Sequence, residues 1–464
     1  MNLIKKNSGS FRDPAGQVYY CDDRIIRVIR KKGKERFDHI LKNNIIEQSV
    51  DKNFLIESKK IENNFKEIDI DESCYLVEHE KIEYISYPYE WCFYQLKSAA
   101  IHHLEFQIFL LEKNSVLIDA SAYNIQFKNN KPIFIDLLSI DKYKEGDYWI
   151  GYNQFIQQFL NPLLLQSKKG IKFNNWYKGN LNGIFSEDLN SVLSLNDKIS
   201  LNVYLHVVLL AKMSKRTTLN PKKTVHEFNK KKNLSKNSYK AILLQLKKWI
   251  EVLKPKKVRT IWDNYSIENT YEENQKDKKL KILKEFVVKH KPKKLIDLGC
   301  NDGFYSIESL KSGCESAVGI DFDSNVINEA YKKSKLLDKP FLPLCIDFMN
   351  PSSKLGWNEE ERYSFLERSN FDCVIAFAFE HHLSLANNVP LNEMIEWMLK
   401  IANKGLIEFV SKNDPTVKKI LTLKGDIFPD YNNEKFEYLL NKKARILKTS
   451  EISDTRKIYE FEIK

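Results

Sequence analysis

The sequence predicts two folded parts of different class: a doubly wound α/β unit at the C-terminal end, and an α+β unit completed by helices before it. Three observations predict this. From residue 291, five apolar runs of strand length alternate with helical segments: KKLIDLGC (293–300), SAVGIDF (316–322), PFLPLCIDF (340–348), FDCVIAFAF (371–379) and KGLIEFV (404–410). Such alternation argues for a parallel sheet with helices on both faces. Residues 11–140 instead alternate short apolar runs with turn signals, and residues 150–290 carry mostly helical patterns. The expected divisions are 1–145, 146–258 and 259–464, and 464 residues suit two to four domains at about 150 residues each.

In the first part, VYYCDD (18–23) and RIIRVIR (24–30) read as a hairpin over Asp22-Asp23, with CYLVEH (74–79) and YISYP (84–88) as further strands. Residues 90–113 then place apolar side chains at helical spacing. VLIDASAYNIQFKNNKPIFIDLLSID (116–141) reads as strand, loop and strand, with Asn129-Asn130 in a tight turn. NQFIQQFLNPLLLQ (153–166), LNVYLHVVLLAKM (201–213) and SYKAILLQLKKWIEVL (238–253) carry the apolar faces of helices. The polar, Lys-rich segment 217–237 predicts an exposed connector, with Lys230 to Lys232 a solvated turn.

Composition narrows the class. Gly (15) and Pro (13) are too scarce for a collagenous or broadly disordered chain. Lys+Arg 74 against Asp+Glu 62 leaves +12 at pH 7, which over this length predicts a solvated basic surface. There is no RRM, KH or zinc-knuckle signature, so nucleic acid is not the expected partner. Cys21, Cys74, Cys92, Cys300, Cys314, Cys345 and Cys373 form no CxxC pair and no Cys/His cluster, which predicts buried reduced thiols. MNLIKKNSGSFRDPAG (1–16) lacks the apolar core of a signal peptide. No apolar run reaches the ~20 residues a bilayer span needs. The expectation is a cytoplasmic protein without a membrane span; oligomeric state is not written in the sequence.

The densest constellation runs from Leu295 to Phe304. A buried strand enters a turn carrying Gly299, Asn301 and Gly303, and the helix FYSIESLKSG (304–313) follows with free N–H groups at its start. Asp297 and Asp302 make the turn acidic, which disfavours a pyrophosphate and suits a cationic ligand; GxGxxG spacing is absent. Asp321, 24 residues after Asp297, ends the next strand, where a carboxylate accepts from vicinal ribose hydroxyls, and Phe322 follows it. At the third strand end, Asp347 offers an acceptor for an adenine amino group and Phe348 an aromatic face. Ribose clamp, adenine acceptor and acidic turn together describe a site for S-adenosyl-L-methionine.

LIDLGCNDGFYS (295–306), VGIDFD (318–323) and CIDF (345–348) resemble motifs I, II and III of class I S-adenosyl-L-methionine-dependent methyltransferases, over roughly residues 260–464. The resemblance implies a Rossmann-like methyltransferase sheet. Thr260 to Tyr265 and Tyr271 resemble the lid segment before motif I, where the aromatic side chains, Tyr271 among them, either cover the cofactor or pack against the sheet. At the fourth strand end, Glu380, His381 and His382 stand where a methyl acceptor is expected. In-line displacement on a sulfonium carbon requires an aligned acceptor and, for a hydroxyl, removal of its proton. An imidazole with a pKa near ~6.5 suits that task. The alternative is that the histidines shape the pocket or cap the next helix. Glu408 and Asp414 either bind the acceptor or are structural.

Ile118 to Asn124 places Asp119 and Asn124 five positions apart, and Asp136 ends a second apolar strand twelve residues on. This resembles the catalytic loop of the protein-kinase and aminoglycoside-phosphotransferase superfamily, where D-x-x-x-x-N precedes a metal-binding Asp. The resemblance implies Asp119 as base for an acceptor hydroxyl, and Asn124 and Asp136 as Mg²⁺ ligands beside ATP phosphates. The sequence departs from that pattern at Leu117, where a His or Tyr is usual. Arg27 is the nearest counterpart of the β3 lysine, and Gly9 and Gly16 make no Gly-rich loop. An active small-molecule kinase, a degenerate kinase fold that holds a substrate and a chance match all stay open.

As a whole the chain resembles bacterial proteins that fuse a kinase-like region to a class I methyltransferase and are discussed with polysaccharide and nodulation-factor modification. YPYEW (87–91), DASAYNIQF (119–127), FIDLLS (134–139) and IEFV (407–410) carry that resemblance. It implies O-methylation of a small-molecule, glycan or glycan-precursor acceptor that the kinase-like part phosphorylates or holds. The alternatives are an ATP-dependent sugar kinase with a regulatory S-adenosyl-L-methionine domain, and an RNA methyltransferase.

Overall fold

The computed structural model describes residues 4–62, 73–219, 234–256 and 273–464. The chain divides into two compact units, Met1–Val258 with Leu355–Arg362, and Arg259–Lys354 with Tyr363–Lys464. Tyr271, Thr260 to Tyr265 and Lys230 to Lys232 lie outside the described residues.

The first unit opens with a five-stranded antiparallel sheet. Strands β1 (Ile4–Lys6), β2 (Gly16–Cys21), β3 (Arg24–Arg30), β4 (Ser58–Ile61) and β5 (Ser73–His79) lie in the order β1-β2-β3-β5-β4. The β2–β3 hairpin turns over Asp22-Asp23 as expected, with Asp22 at φ 53°, a conformation aspartate tolerates. Cys21, Ile26, Val28 and Leu76 close one hydrophobic cluster of this sheet. Helix α1 (Lys34–Lys42) follows β3.

The segment 84–88 is not the strand that its apolar residues predict. Its backbone amides are taken by side chains: Ser86 N–H donates to Gln126 Oε1 and Tyr87 N–H to Glu90 Oε2, each at 2.9 Å. A single 3₁₀ turn, Pro88–Glu90, follows. A buried amide needs one partner, and here the partner is not a neighbouring strand.

Helix α2 (Phe93–Glu112) leads to β6 (Ser115–Leu117), which pairs with β9 (Ile140–Lys142) around a hairpin of β7 (Ile125–Lys128) and β8 (Lys131–Phe134). Asn129 and Asn130 both take positive φ in its two-residue turn, as a type I′ turn requires. Among the described residues the rest of the unit is mainly helical, including π-helical turns at Ile156–Leu160 and Leu165–Lys169, and α3 (Lys236–Val252) packs on α2.

In the second unit, α4 (Glu273–His290) precedes a seven-stranded sheet. Strands β10 (Lys294–Leu298), β11 (Ser316–Asp321), β12 (Phe341–Cys345), β13 (Phe371–Ala376) and β14 (Ala402–Val410) are parallel and follow the five apolar runs. A hairpin of β15 (Ala444–Ser453) and β16 (Arg456–Ile463) adds antiparallel at the β14 edge, giving the order β12-β11-β10-β13-β14-β16-β15.

The unit is therefore a doubly wound, Rossmann-like α/β structure. Its core includes Leu283, Phe286 and Val287 of α4 against Leu295, Phe341 and Leu406 of the sheet. Strand order reverses beside β10, and the crevice outside the carboxyl ends at such a switch point is where open α/β sheets bind ligands. Cys21, Cys92, Cys300, Cys314, Cys345 and Cys373 are free and buried. Among the described residues no helix is long and apolar enough to cross a membrane.

Candidate functional site

At the switch point β10 ends in Leu298, and the chain turns back on itself through Gly299 (φ 78°), Asn301 (φ 50°) and Gly303 (φ 82°). Position 303 needs a glycine twice over. Its φ is left-handed, and a Cβ there would sit 2.5 Å from the Phe341 ring. Gly299 and Cys300 N–H donate to the Ile320 carbonyl at 2.9 and 3.0 Å, which draws the turn against the end of β11.

The two acidic strand ends meet this turn. Asp297 is 2% exposed and accepts the Ser306 hydroxyl at 2.7 Å; burial pushes its carboxyl up to about 7. Asp321 accepts the backbone N–H of Asn301 at 3.1 Å and of Asp323 at 2.9 Å. Asp297, Gly299, Asn301, Gly303 and Asp321 are thus brought together. Phe322, 45% exposed, follows directly. Asp347 is exposed and accepts the Met349 N–H at 2.9 Å, while Phe348 is half-buried edge-on to Phe379, ring centroids 4.6 Å apart. Asp302 pairs with Lys333 of the helix Ser324–Ser334.

The fourth strand end differs from expectation. Ala378 holds φ 50°, unusual for a residue with a Cβ, and its N–H donates to Glu408 Oε2 at 2.8 Å. Glu380 does not reach toward an acceptor. It is fully buried, and its Oε1 accepts the Val410 N–H and the Tyr431 hydroxyl, both at 2.8 Å. His381 is fully buried too; among the described residues neither ring nitrogen has a hydrogen-bond partner, and Nδ1 stands 3.5 Å from Glu380 Oε2. Burial pushes its pKa down to about 4. The ring is thus enclosed and weakly basic. His382 is half-buried with its ring 4.1 Å from that of His381, and burial pushes its pKa down to about 3. Of the three, only His382 reaches the surface, as a neutral ring.

Glu408 and Asp414 are both engaged in ion pairs within the unit. Buried Lys279 of α4 pairs with Glu408 at 2.7 Å. Arg456 pairs with Asp414 at 2.7 Å and stands 3.5 Å from Glu408.

In the first unit the structure brings Asp119, Asn124 and Asp136 together. Asn124 Nδ2 donates to Asp119 Oδ2 at 3.2 Å and to the Ser139 hydroxyl at 3.3 Å, and that hydroxyl donates to Asp136 Oδ2. Asp119 also accepts the Ser121 N–H at 2.9 Å. Burial, then the charge of Asp136, raises its pKa above the usual carboxylate range. Two carboxylates and an amide oxygen are hard donors that suit Mg²⁺. Asp136 already has a cation, however: Arg27 Nη1 stands 2.8 Å from its Oδ1.

The parallel sheet, its switch-point turn and the acidic strand ends define the second unit as Rossmann-like. The chain belongs to the family of the nodulation protein NoeA: it is 40% identical to NoeA of Rhizobium meliloti (strain 1021) over 457 residues, 98% of this chain and 95% of that one. No family model matches it. Among solved structures, the N-methyltransferase NodS from Bradyrhizobium japonicum WM9 is 12% identical, with 41% of this chain and 98% of that one covered and a TM-score of 0.31. Magnesium protoporphyrin IX methyltransferase (ChlM) from Synechocystis PCC 6803 with bound SAH is 16% identical, with 48% and 95% covered and a TM-score of 0.29.

Proposed function

We propose that the second unit is an S-adenosyl-L-methionine-dependent methyltransferase. The observation that carries this reading is the convergence, at the switch point, of the left-handed glycine turn with Asp297 and Asp321. In this reading Asp321 accepts the ribose hydroxyls, Phe322 and Phe348 flank the adenine, Asp347 accepts from its amino group, and Asp297 faces the cationic end. Bound there, the cofactor supplies a methyl group activated by a sulfonium. Gly299 and Gly303 let the backbone approach it. His382 contacts the acceptor and orients it, while Glu380 and His381 fix the wall behind. The acceptor is an oxygen of a glycan or glycan precursor; a family relative concerned with nodulation supports that choice without naming a sugar. Calorimetric titration with S-adenosylhomocysteine tests the reading: micromolar one-to-one binding is expected, and a folded protein without it would sink the assignment.

The cluster in the first unit favours a second activity. An antiparallel sheet, a long helix, a D-x-x-x-x-N loop and a following acidic residue come in the order of the phosphotransferase superfamily. In this reading ATP phosphates and Mg²⁺ lie against Asn124 and Asp136, and Asp119 accepts the proton of an acceptor hydroxyl. The unit then phosphorylates, or simply holds, the molecule to be methylated. Binding of an ATP analogue that vanishes in Asp119→Asn and Asp136→Asn proteins is the expected result.

A further inference from the structure

The proposed metal ligand Asp136 is engaged on both oxygens, by Arg27 on Oδ1 and by Ser139 on Oδ2. How Arg27 is held is informative. Its Nε–H donates to His79 Nε2 at 3.2 Å. A guanidinium has no acceptor, so Nε2 must be the acceptor and the imidazole proton must sit on Nδ1. That proton meets Ser58 Oγ at 2.8 Å, and the Ser58 hydroxyl in turn donates to the Ile56 carbonyl at 2.8 Å. Every group in the chain Ile56–Ser58–His79–Arg27 has one consistent role, and Ser58, His79 and Arg27 are all buried. Burial, followed by the charge of Arg27, pushes His79 down to about 3, in keeping with a neutral ring. The relay grips the guanidinium by Nε and leaves its two terminal nitrogens for anions.

Two anions can use those nitrogens. One is Asp136, in place now. The other is a phosphate oxyanion, which the planar fork of arginine matches bidentately where a lysine would offer a point charge. A divalent cation approaching Asp136 alone meets the guanidinium already on Oδ1, whereas one arriving with phosphates brings a competing anion for Arg27. We propose that Arg27, held by the His79–Ser58 relay, gates metal entry: the divalent cation binds this unit together with a nucleoside triphosphate and not by itself. This rests on reading the first unit as a nucleotide site. Linkage makes the effect reciprocal, so that nucleotide and cation each tighten the other.

The test uses the full chain, with Mn²⁺ in place of Mg²⁺ and free metal read by electron paramagnetic resonance, alone and with a non-hydrolysable ATP analogue. For the wild type, the analogue should raise Mn²⁺ affinity about tenfold or more. Arg27→Met should bind Mn²⁺ alone about tenfold tighter than wild type and the analogue correspondingly weaker. His79→Leu should weaken the analogue, and His79→Gln, whose amide oxygen accepts the same Arg27 N–H, should restore it. If Arg27→Met does not fold, Arg27→Lys replaces it, with a smaller rise in Mn²⁺ affinity expected. A wild type that binds the analogue but takes Mn²⁺ alone as tightly as the Arg27 variants overturns the gate and leaves the nucleotide site standing. A folded wild type that binds no analogue overturns both.

Discussion

Asp297 in the second unit and Asp136 in the first both sit at a strand end beside a candidate ligand, yet they are held by different chemistry. Asp297 is met by a hydroxyl, that of Ser306, while Asp136 is met by a guanidinium as well as a hydroxyl. A neutral donor orients a carboxylate without cancelling its charge; a cation does both. The first arrangement suits a cationic ligand that arrives alone. The second suits one that arrives with its own anion. Cations are present in the second unit too, but not on Asp297: Lys333 pairs with Asp302 of the turn, and one layer back Lys279 and Arg456 meet Glu408 and Asp414.

The sharpest way to break this comparison is to remove a cation from that rear layer. Lys279→Met leaves Glu408 buried with the Ala378 N–H and the 3.5 Å contact to Arg456 but without its close cation, and should cost the second unit about 3–5 kcal/mol in denaturant unfolding. The double substitution Lys279→Met, Glu408→Gln should recover most of the loss. A single variant as stable as wild type would show that the pair does not hold the unit together.

Asp321→Ala comes next. It should weaken S-adenosylhomocysteine binding by about 1.5–3 kcal/mol in calorimetry, the range of a hydrogen bond to a charged group, with the melting curve little moved. Gly303→Ala should cost about 1–3 kcal/mol of stability from its left-handed φ and the Phe341 contact, and cofactor affinity should fall with it.

The smallest effect is in pH. Folding raises the Asp297 carboxyl from its ordinary 3.8 to about 7. The folded unit therefore keeps a proton that the unfolded chain releases. The associated stability is full below about pH 4 and is lost as pH rises through 7. A cationic ligand favours the ionised form, so cofactor affinity should rise from pH 6 to pH 8 with proton release, seen as a buffer-dependent heat. Asp297→Asn should flatten that profile; an unchanged slope would move the effect to Glu380, which burial also raises to about 7.

The parallel strands and the acidic turn were legible because their signals are local. Apolar runs mark buried strands, and Gly299 and Gly303 flank a turn that a few neighbouring residues build. Asp119 and Asn124 likewise lie in one loop. What the sequence concealed was pairing at a distance. Arg27 looked like a poor lysine substitute, and only the fold places it on Asp136 and against His79. Lys279 sits in a run of charged residues that reads as a wet helix surface. Yet it shares a helical stripe with Leu283, Phe286 and Val287, a spacing that could have marked it as buried. His381 misled in the opposite way: a histidine at a strand end reads as a base until its burial is known. The C-terminal hairpin carries its alternation among many charges, and no strand was expected there.

Arg456 opens the last strand of the sheet, yet it braces the edge of a crevice whose first turn is made more than 150 residues earlier in the chain. Through Glu408 it backs the amide of Ala378, which takes a positive φ just beyond the end of β13. A ribosome delivers the chain from its N-terminal side. The glycine turn and β11 can thus assemble while the strut for the opposite edge is still unmade. A product cut short before β16 would carry the glycine turn without the brace of the opposite edge.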